Sequence, residues 1–176
     1  MSGSGPAGLL FVQLARACGC TPILLRAGGG RPEAPARPPE LGATGAWSHR
    51  DPEIARRVLD ATGGEGVDIA VEASGSDEAV GHAFDLVRRG GRVVLYGISG
   101  TGRPNIASDL IVSKDLGVVS GIGRAPCSGT RPSGSRAAVV GGPGVAGHPS
   151  FPLEDHDRFL AVAADVDQSV KVVLTP

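Results

Sequence analysis

Gly3-Ser4-Gly5-Pro6-Ala7-Gly8 runs directly into Leu9-Leu10-Phe11-Val12-Gln13-Leu14-Ala15, and the reading of this junction decides the fold. Glycines spaced Gly-x-Gly-x-x-Gly ahead of a helix have separate uses. The first permits a tight turn, the second lets a pyrophosphate approach the backbone, and the third lets the helix pack close to a sheet. The start of the helix then offers free N–H groups and the positive end of its dipole to an anion. In a chain with 28 glycines the same pattern also arises from plain turns, so its weight depends on the elements downstream in the chain.

Short apolar runs alternate with amphipathic ones along the rest of the chain. Pro22-Ile23-Leu24-Leu25 reads as a buried strand, and Ala46-Trp47-Ser48 is a further strand candidate. Asp51 is a suitable N-cap with Pro52 at the first helical position. The helix beyond it carries Ile54, Ala55, Val58 and Leu59 on one face and stops at Gly63-Gly64. Val67 to Val71 is a strand. Ser76-Asp77-Glu78 then caps a helix that turns Ala79, Val80, Ala83, Phe84 and Val87 inward and ends at Gly90-Gly91. Arg92 to Tyr96 and Leu116 to Ser120 complete the set of strands.

This alternation predicts an α/β fold, a Rossmann-type doubly wound parallel sheet with helices on both faces. The glycine turn opens almost at Met1, so the sheet is expected to lack its first, central strand. Residues 1–123 are read as the dinucleotide-binding core, 124–150 as an irregular Gly/Pro-rich segment, and 151–176 as a closing helix and strand of the same domain.

Composition narrows the function classes. A chain of 176 residues with 41% hydrophobic content can bury one sizeable core. Its net charge of −1, with both signs interspersed, argues against nucleic acid and acidic membrane surfaces as partners. No apolar run approaches the roughly 20 residues of a membrane helix, and the N-terminus has no basic flank of a secretion signal, so a cytoplasmic location is expected. Cys18, Cys20 and Cys127 have no Cys-x-x-Cys spacing, and Cys18-Gly19-Cys20 has no histidine near it in sequence. His49, His82, His148 and His156 are dispersed and expected at the surface. No catalytic residue and no metal ligand is therefore assigned.

Gly3-Ser4-Gly5-Pro6-Ala7-Gly8-Leu9-Leu10, Leu41-Gly42-Ala43, Val67 to Gly75 (VDIAVEASG), Gly90 to Gly97 (GGRVVLYG) and Lys114-Asp115-Leu116 together resemble the cofactor domain of medium-chain dehydrogenases. The likeness is to the zinc-type alcohol, sorbitol and threonine dehydrogenase branch. Phe151-Pro152-Leu153-Glu154 and Val170 to Leu174 resemble that family's closing helix and strand. The resemblance implies an NAD(P)-binding domain of an oxidoreductase that passes hydride between nicotinamide and an alcohol or carbonyl. The cofactor is NAD or NADP, and zinc is expected only in a preceding catalytic domain absent from this chain. Implied partners are the dinucleotide and, in a complete enzyme, a small alcohol or polyol, with homo-oligomer formation left open.

The resemblance places the pyrophosphate on Gly3, Ser4, Gly5, Pro6, Ala7 and Gly8. It places ribose and nicotinamide along Ala73, Ser74 and Gly75, Gly97 and Ile98, and Gly121 and Ile122. Where a dinucleotide site expects an acid about 20 residues beyond the glycines, Met1 to Pro32 contains no Asp or Glu. Arg26 stands there instead, either to meet a 2′-phosphate, which favours NADP, or as a solvated surface arginine. Glu72, Asp68 and Lys114 are candidates for cofactor or interface contacts, with structural roles favoured.

Arg26 to Pro39 and Arg124 to Ser150 depart from the pattern, being rich in Gly, Pro and Arg, and are expected to lack stable helices. Their abrupt return to family-like sequence is what two compensated reading-frame slips would produce. Two other functions compete with the leading one: a non-catalytic remnant or dinucleotide-binding module without turnover, and a flavin-binding oxidoreductase suggested by Gly-Pro-Ala-Gly-Leu.

Overall fold

The structure is a computed structural model and describes residues 1–28, 37–100, 102, 106–121, 149–165 and 172–175. Helix α1 (Pro6–Ala17) follows the glycine turn, with proline at its start where a missing N–H costs nothing. Strand β1 (Leu24–Ala27), the short helix α2 (Arg37–Leu41) and strand β2 (Gly45–Ser48) come next. Helix α3 (Ile54–Ala61) leads to β3 (Val67–Glu72), α4 (Asp77–Leu86) and β4 (Val87–Leu95). Helix α5 (Ser108–Ser113) and β5 (Gly117–Ser120) close the main sheet. Strand β6 (Ser150–Pro152), a single 3₁₀ turn, helix α6 (His156–Ala164) and β7 (Val173–Thr175) form the tail, where β6 and β7 pair in parallel with each other.

β1 pairs β2, and β3, β4 and β5 pair in that order, all in parallel. The expected gap between the two groups is filled. Ser2 makes parallel bridges to Arg26 on one side and Glu72 on the other. The Arg26 N–H donates to Met1 O, the Gly3 N–H to Arg26 O, the Ser2 N–H to Val71 O, and the Ala73 N–H to Ser2 O. The first strand is thus present as a three-residue stub at the centre of the sheet, not absent. The chain moves from this stub outward through β1 and β2, then through β3 to β5 on the other side, which makes it the topological switch point.

Two apolar clusters hold the layers together. One unites Leu9 and Val12 of α1 with Ile23, Leu25, Leu41 and Ala43. The other unites Val80, Ala83 and Phe84 of α4 with Ala70, Val87, Val93 and Leu116. Phe84 and Val93 are fully buried, and truncating a phenylalanine so placed costs about 3–5 kcal/mol.

Several boundaries differ from the sequence reading. The first buried strand begins at Leu24 rather than Pro22. Val87 is buried as expected but belongs to β4: α4 ends at Leu86 because Val87 pairs with Val67. Asp51 lies upstream of the N-cap of α3, where its carboxylate accepts the Glu53 N–H, and Ala55 and Leu59 face outward while Ile54 and Val58 are buried. Within the segment expected to lack helices, α2 begins at Arg37. Pro38 and Pro39 fall in its first turn, where proline removes no helical hydrogen bond. The other segment expected to lack helices, Arg124 to Ser150, lies outside the described residues up to Pro149. Among the described residues no helix is long and apolar enough to cross a membrane.

Candidate dinucleotide-binding site

The three glycines of the turn have three different environments. Gly3 holds a φ of +111°, and a side chain there would press on the backbone of Ala73 and Ser74. A Cβ on Gly8 would overlap the carbonyl oxygen of Gly3, so this glycine lets α1 lie against the stub strand. Gly5, the N-cap residue, has nothing among the described residues within 4 Å of the position a Cβ would take. No side chain caps α1 and its first turn carries no acid, so its leading N–H groups remain for a ligand.

A cavity of about 400 Å³ opens at this helix start, lined by Gly3, Ser4, Gly5, Arg26, Gly28, His49, Ala73, Ser74 and Ser76. Of the residues assigned from sequence, the structure therefore brings six to one cavity: Gly3, Ser4, Gly5, Arg26, Ala73 and Ser74. Pro6, Ala7 and Gly8 form the first turn of α1 behind it. Gly28, His49 and Ser76 were not foreseen. Gly28 and His49 follow β1 and β2, so the positions just beyond the strand ends were the available signal. Ser4 is buried and its hydroxyl donates to Gly28 O at 3.0 Å, which ties the glycine turn to the end of β1.

Arg26 is not a solvated surface arginine. It is 7% exposed, and its Nη2 donates to Glu78 Oε1 at 2.7 Å and to His49 O at 3.1 Å, while its Nε is enclosed without a partner among the described residues. The side chain bridges the end of β1 to α4, and Glu78, which is 59% exposed, offsets its charge.

Across the switch point, the loops after β3 and β4 are joined through Glu72. Its side chain is completely buried, and Oε1 accepts from Ser74 N at 2.7 Å, Ser74 Oγ at 2.6 Å and Gly75 N at 3.0 Å. Its backbone carbonyl accepts the N–H groups of Tyr96 and Gly97. A Cβ on Gly75 would overlap Ile98 O, and one on Gly97 would overlap both Glu72 Oε2 and Gly75 N. Gly97 and Ile98 thus lie directly against the loop that reaches the cavity. Gly121 is exposed beyond β5, and Ile122 lies outside the described residues.

The sequence profile of the zinc-binding dehydrogenases matches residues 6–129. The chain belongs to the zinc-binding dehydrogenase family. Among its relatives, L-threonine 3-dehydrogenase of Pyrococcus abyssi is 31% identical over 125 residues, 70% of this chain and 35% of that protein. Erythritol/L-threitol dehydrogenase of Mycolicibacterium smegmatis is 27% identical over 176 residues, the whole of this chain and 48% of that protein. An alcohol dehydrogenase from Thermus sp. ATN1 superposes with a TM-score of 0.74 at 28% identity, covering 99% of this chain and 50% of that one. The chain therefore spans between about a third and a half of the length of these relatives.

The remaining polar candidates of the chain have structural partners. Lys114 Nζ donates to the carbonyls of Phe84, Asp85 and Val87, closing the C-terminal end of α4. Asp68 pairs with Arg88 on the surface. His82 is half-buried with its Nδ1 enclosed, against the surface position expected, because α4 turns it toward β1 and β3. His156 is exposed beside Asp157, and His148 and Cys127 lie outside the described residues. Among the described residues no three His, Cys, Asp or Glu side chains converge as a metal site.

Proposed function

We propose that this chain is the NAD(P)-binding domain of a cytoplasmic zinc-type alcohol or polyol dehydrogenase, with residues 1–123 as its dinucleotide core and 151–176 as a closing unit. The observation that carries the reading is the open backbone at Gly5, at the uncapped start of α1 and on the wall of a cavity at the switch point. The bound dinucleotide supplies the hydride-carrying ring. The protein's own residues supply position. Leading N–H groups of α1 face the pyrophosphate, Arg26 and Gly28 face the adenosine half, and Ala73 to Gly75 with Gly97 and Ile98 face the nicotinamide half.

The relatives are threonine, sorbitol and erythritol/threitol dehydrogenases by name, which supports a small hydroxylated substrate for the complete enzyme. Calorimetric titration of the chain with NADH and NADPH tests the proposal. Micromolar binding of at least one, lost in Gly5→Val, is the expected result, and no binding of either would refute it.

A second reading, a dinucleotide-binding module without turnover, is favoured by the end of β1. Arg26-Ala27-Gly28 there carries no carboxylate for the ribose hydroxyls. Binding of NADH without hydride transfer in the full-length protein would select this reading.

A further inference from the structure

We propose that Glu72 is a positioning residue for the nicotinamide half of the dinucleotide. The proposal rests on the dinucleotide reading above and assigns a separate task within it. In a doubly wound sheet the ligand lies across the carboxyl ends of the strands, one mononucleotide half on each side of the switch point. The loop ends of β1 and β2 serve one side here, and those of β3 and β4 serve the other.

On the β3–β4 side, the backbone that faces the ligand is shaped by a single buried side chain. One carboxylate oxygen of Glu72 collects the two N–H groups of Ser74 and Gly75 and the Ser74 hydroxyl, which folds the loop back over the end of β3. The backbone carbonyl of the same residue holds Tyr96 and Gly97 at the end of β4. The second carboxylate oxygen is enclosed without a hydrogen-bond partner among the described residues, and it sits where a side chain on Gly97 would have to go. A fully buried carboxylate costs free energy unless its acceptor sites are used. Three donors are gathered on Oε1, and all three belong to the loop that reaches the cavity.

A core residue would serve packing equally well as leucine. Glu72 instead directs its polarity to the conformation of Ala73 to Gly75 and to contact with Gly97, so its removal should alter one half of the site and spare the other. The glycine turn and Arg26 also have bonds of their own, from Ser4 to Gly28 and from Arg26 to Glu78 and His49, beside a backbone bond from Ala73 N–H to Ser2 O that does not involve the Glu72 carboxylate.

The test compares NADH, which spans both sides, with ADP, which occupies only the adenosine side, by calorimetry on the full chain. Glu72→Leu keeps the volume and removes the acceptors. It should weaken NADH at least tenfold while ADP stays within twofold of the parent. Glu72→Gln retains one acceptor oxygen for Ser74 and Gly75 and should restore NADH binding to within about threefold. Gly97→Ala presses a methyl on both Gly75 N and Glu72 Oε2 from the β4 side and should reproduce the selective loss. Glu72→Met, which keeps the length of the side chain and also removes the acceptors, decides the matter if Glu72→Leu does not fold.

Equal loss of NADH and ADP in the substituted chains would show a merely structural role and overturn the proposal. Unchanged binding of both would overturn it as well. A parent chain that binds ADP but not NADH would contradict this positioning role while leaving the glycine turn as a phosphate site. A parent that binds neither would refute the dinucleotide reading itself, and the positioning role with it.

Discussion

Gly8 packs against the carbonyl oxygen of Gly3 so closely that any Cβ at position 8 would overlap it, whereas a Cβ at Gly5 would meet no atom of the described residues within 4 Å. Two glycines of one motif therefore separate folding from binding. Gly8→Val must push α1 away from the stub strand, and an expected loss of about 3 kcal/mol or more should be visible in urea unfolding. Gly5→Val should cost no more than about 1 kcal/mol, because the side chain projects into open space at the N-cap. The same variant should abolish NADH and NADPH binding. If Gly5→Val binds normally, the motif is only a turn.

Arg26 and Glu78 form a pair in which one partner is buried and the other more than half exposed. Glu78 competes with any phosphate for the guanidinium. Glu78→Gln should free Arg26 and improve NADPH relative to NADH by about three- to tenfold, the scale of one charge-assisted hydrogen bond. An unaltered preference between the two cofactors would show that Arg26 does not face a 2′-phosphate.

Lys114 serves the end of α4 rather than a ligand. Its ammonium donates to the carbonyls of Phe84 and Asp85 in the last turn of the helix and of Val87 at the start of β4. Lys114→Met keeps most of the stem and removes the donors. We expect a loss of about 2 kcal/mol in stability with ADP and NADH affinities unchanged. A change in cofactor affinity at constant stability would reverse this assignment.

The amino group of Met1 is enclosed and donates to Leu24 O at 2.7 Å, although the rest of the residue is partly exposed. Burial lowers its pKa from the ordinary 8.0 to about 6. In the 176-residue chain with a free amino group, the unfolded state is then protonated first as pH falls. The stability from this group is complete above pH 8, declines as pH drops from 8 toward 6, and levels off below that, a change on the order of 3 kcal/mol. Nα-acetylation keeps one N–H for Leu24 and removes the titration. Unfolding curves at pH 5.5 and 8.5 should therefore converge, relative to the free amine, in the acetylated protein. Equal pH dependence in both forms would exclude Met1 as its source.

Much of the architecture was legible because it depends on local pattern. The apolar runs of β3, β4 and β5 and the inward face of α4 have the periods of strands and an amphipathic helix, and these elements form there, although β4 begins at Val87 rather than Arg92 and β5 is exposed along its length. The roles of Gly3, Gly5 and Gly8 follow from their spacing and agree with their three environments. Boundaries were less legible. The helical pattern runs on through Val87 toward Gly90 because that residue's apolar side chain suits a helix face as well as a strand, and only its partner Val67 decides between them.

By itself, then, the sequence determined the α/β order, the parallel sheet and the anion-ready start of α1, since each arises from neighbours within a few residues. Tertiary structure alone decided three other matters. Met1 to Gly3 is too short to carry any period, yet it becomes the central strand because two edges, β1 and β3, hydrogen-bond to it at once. Arg26 becomes a buried bridge because Glu78, 52 residues away, and the His49 carbonyl arrive beside it. Glu72 becomes the clasp of two loops because the sheet encloses its carboxylate and brings the donors of Ser74 and Gly75 to one of its oxygens.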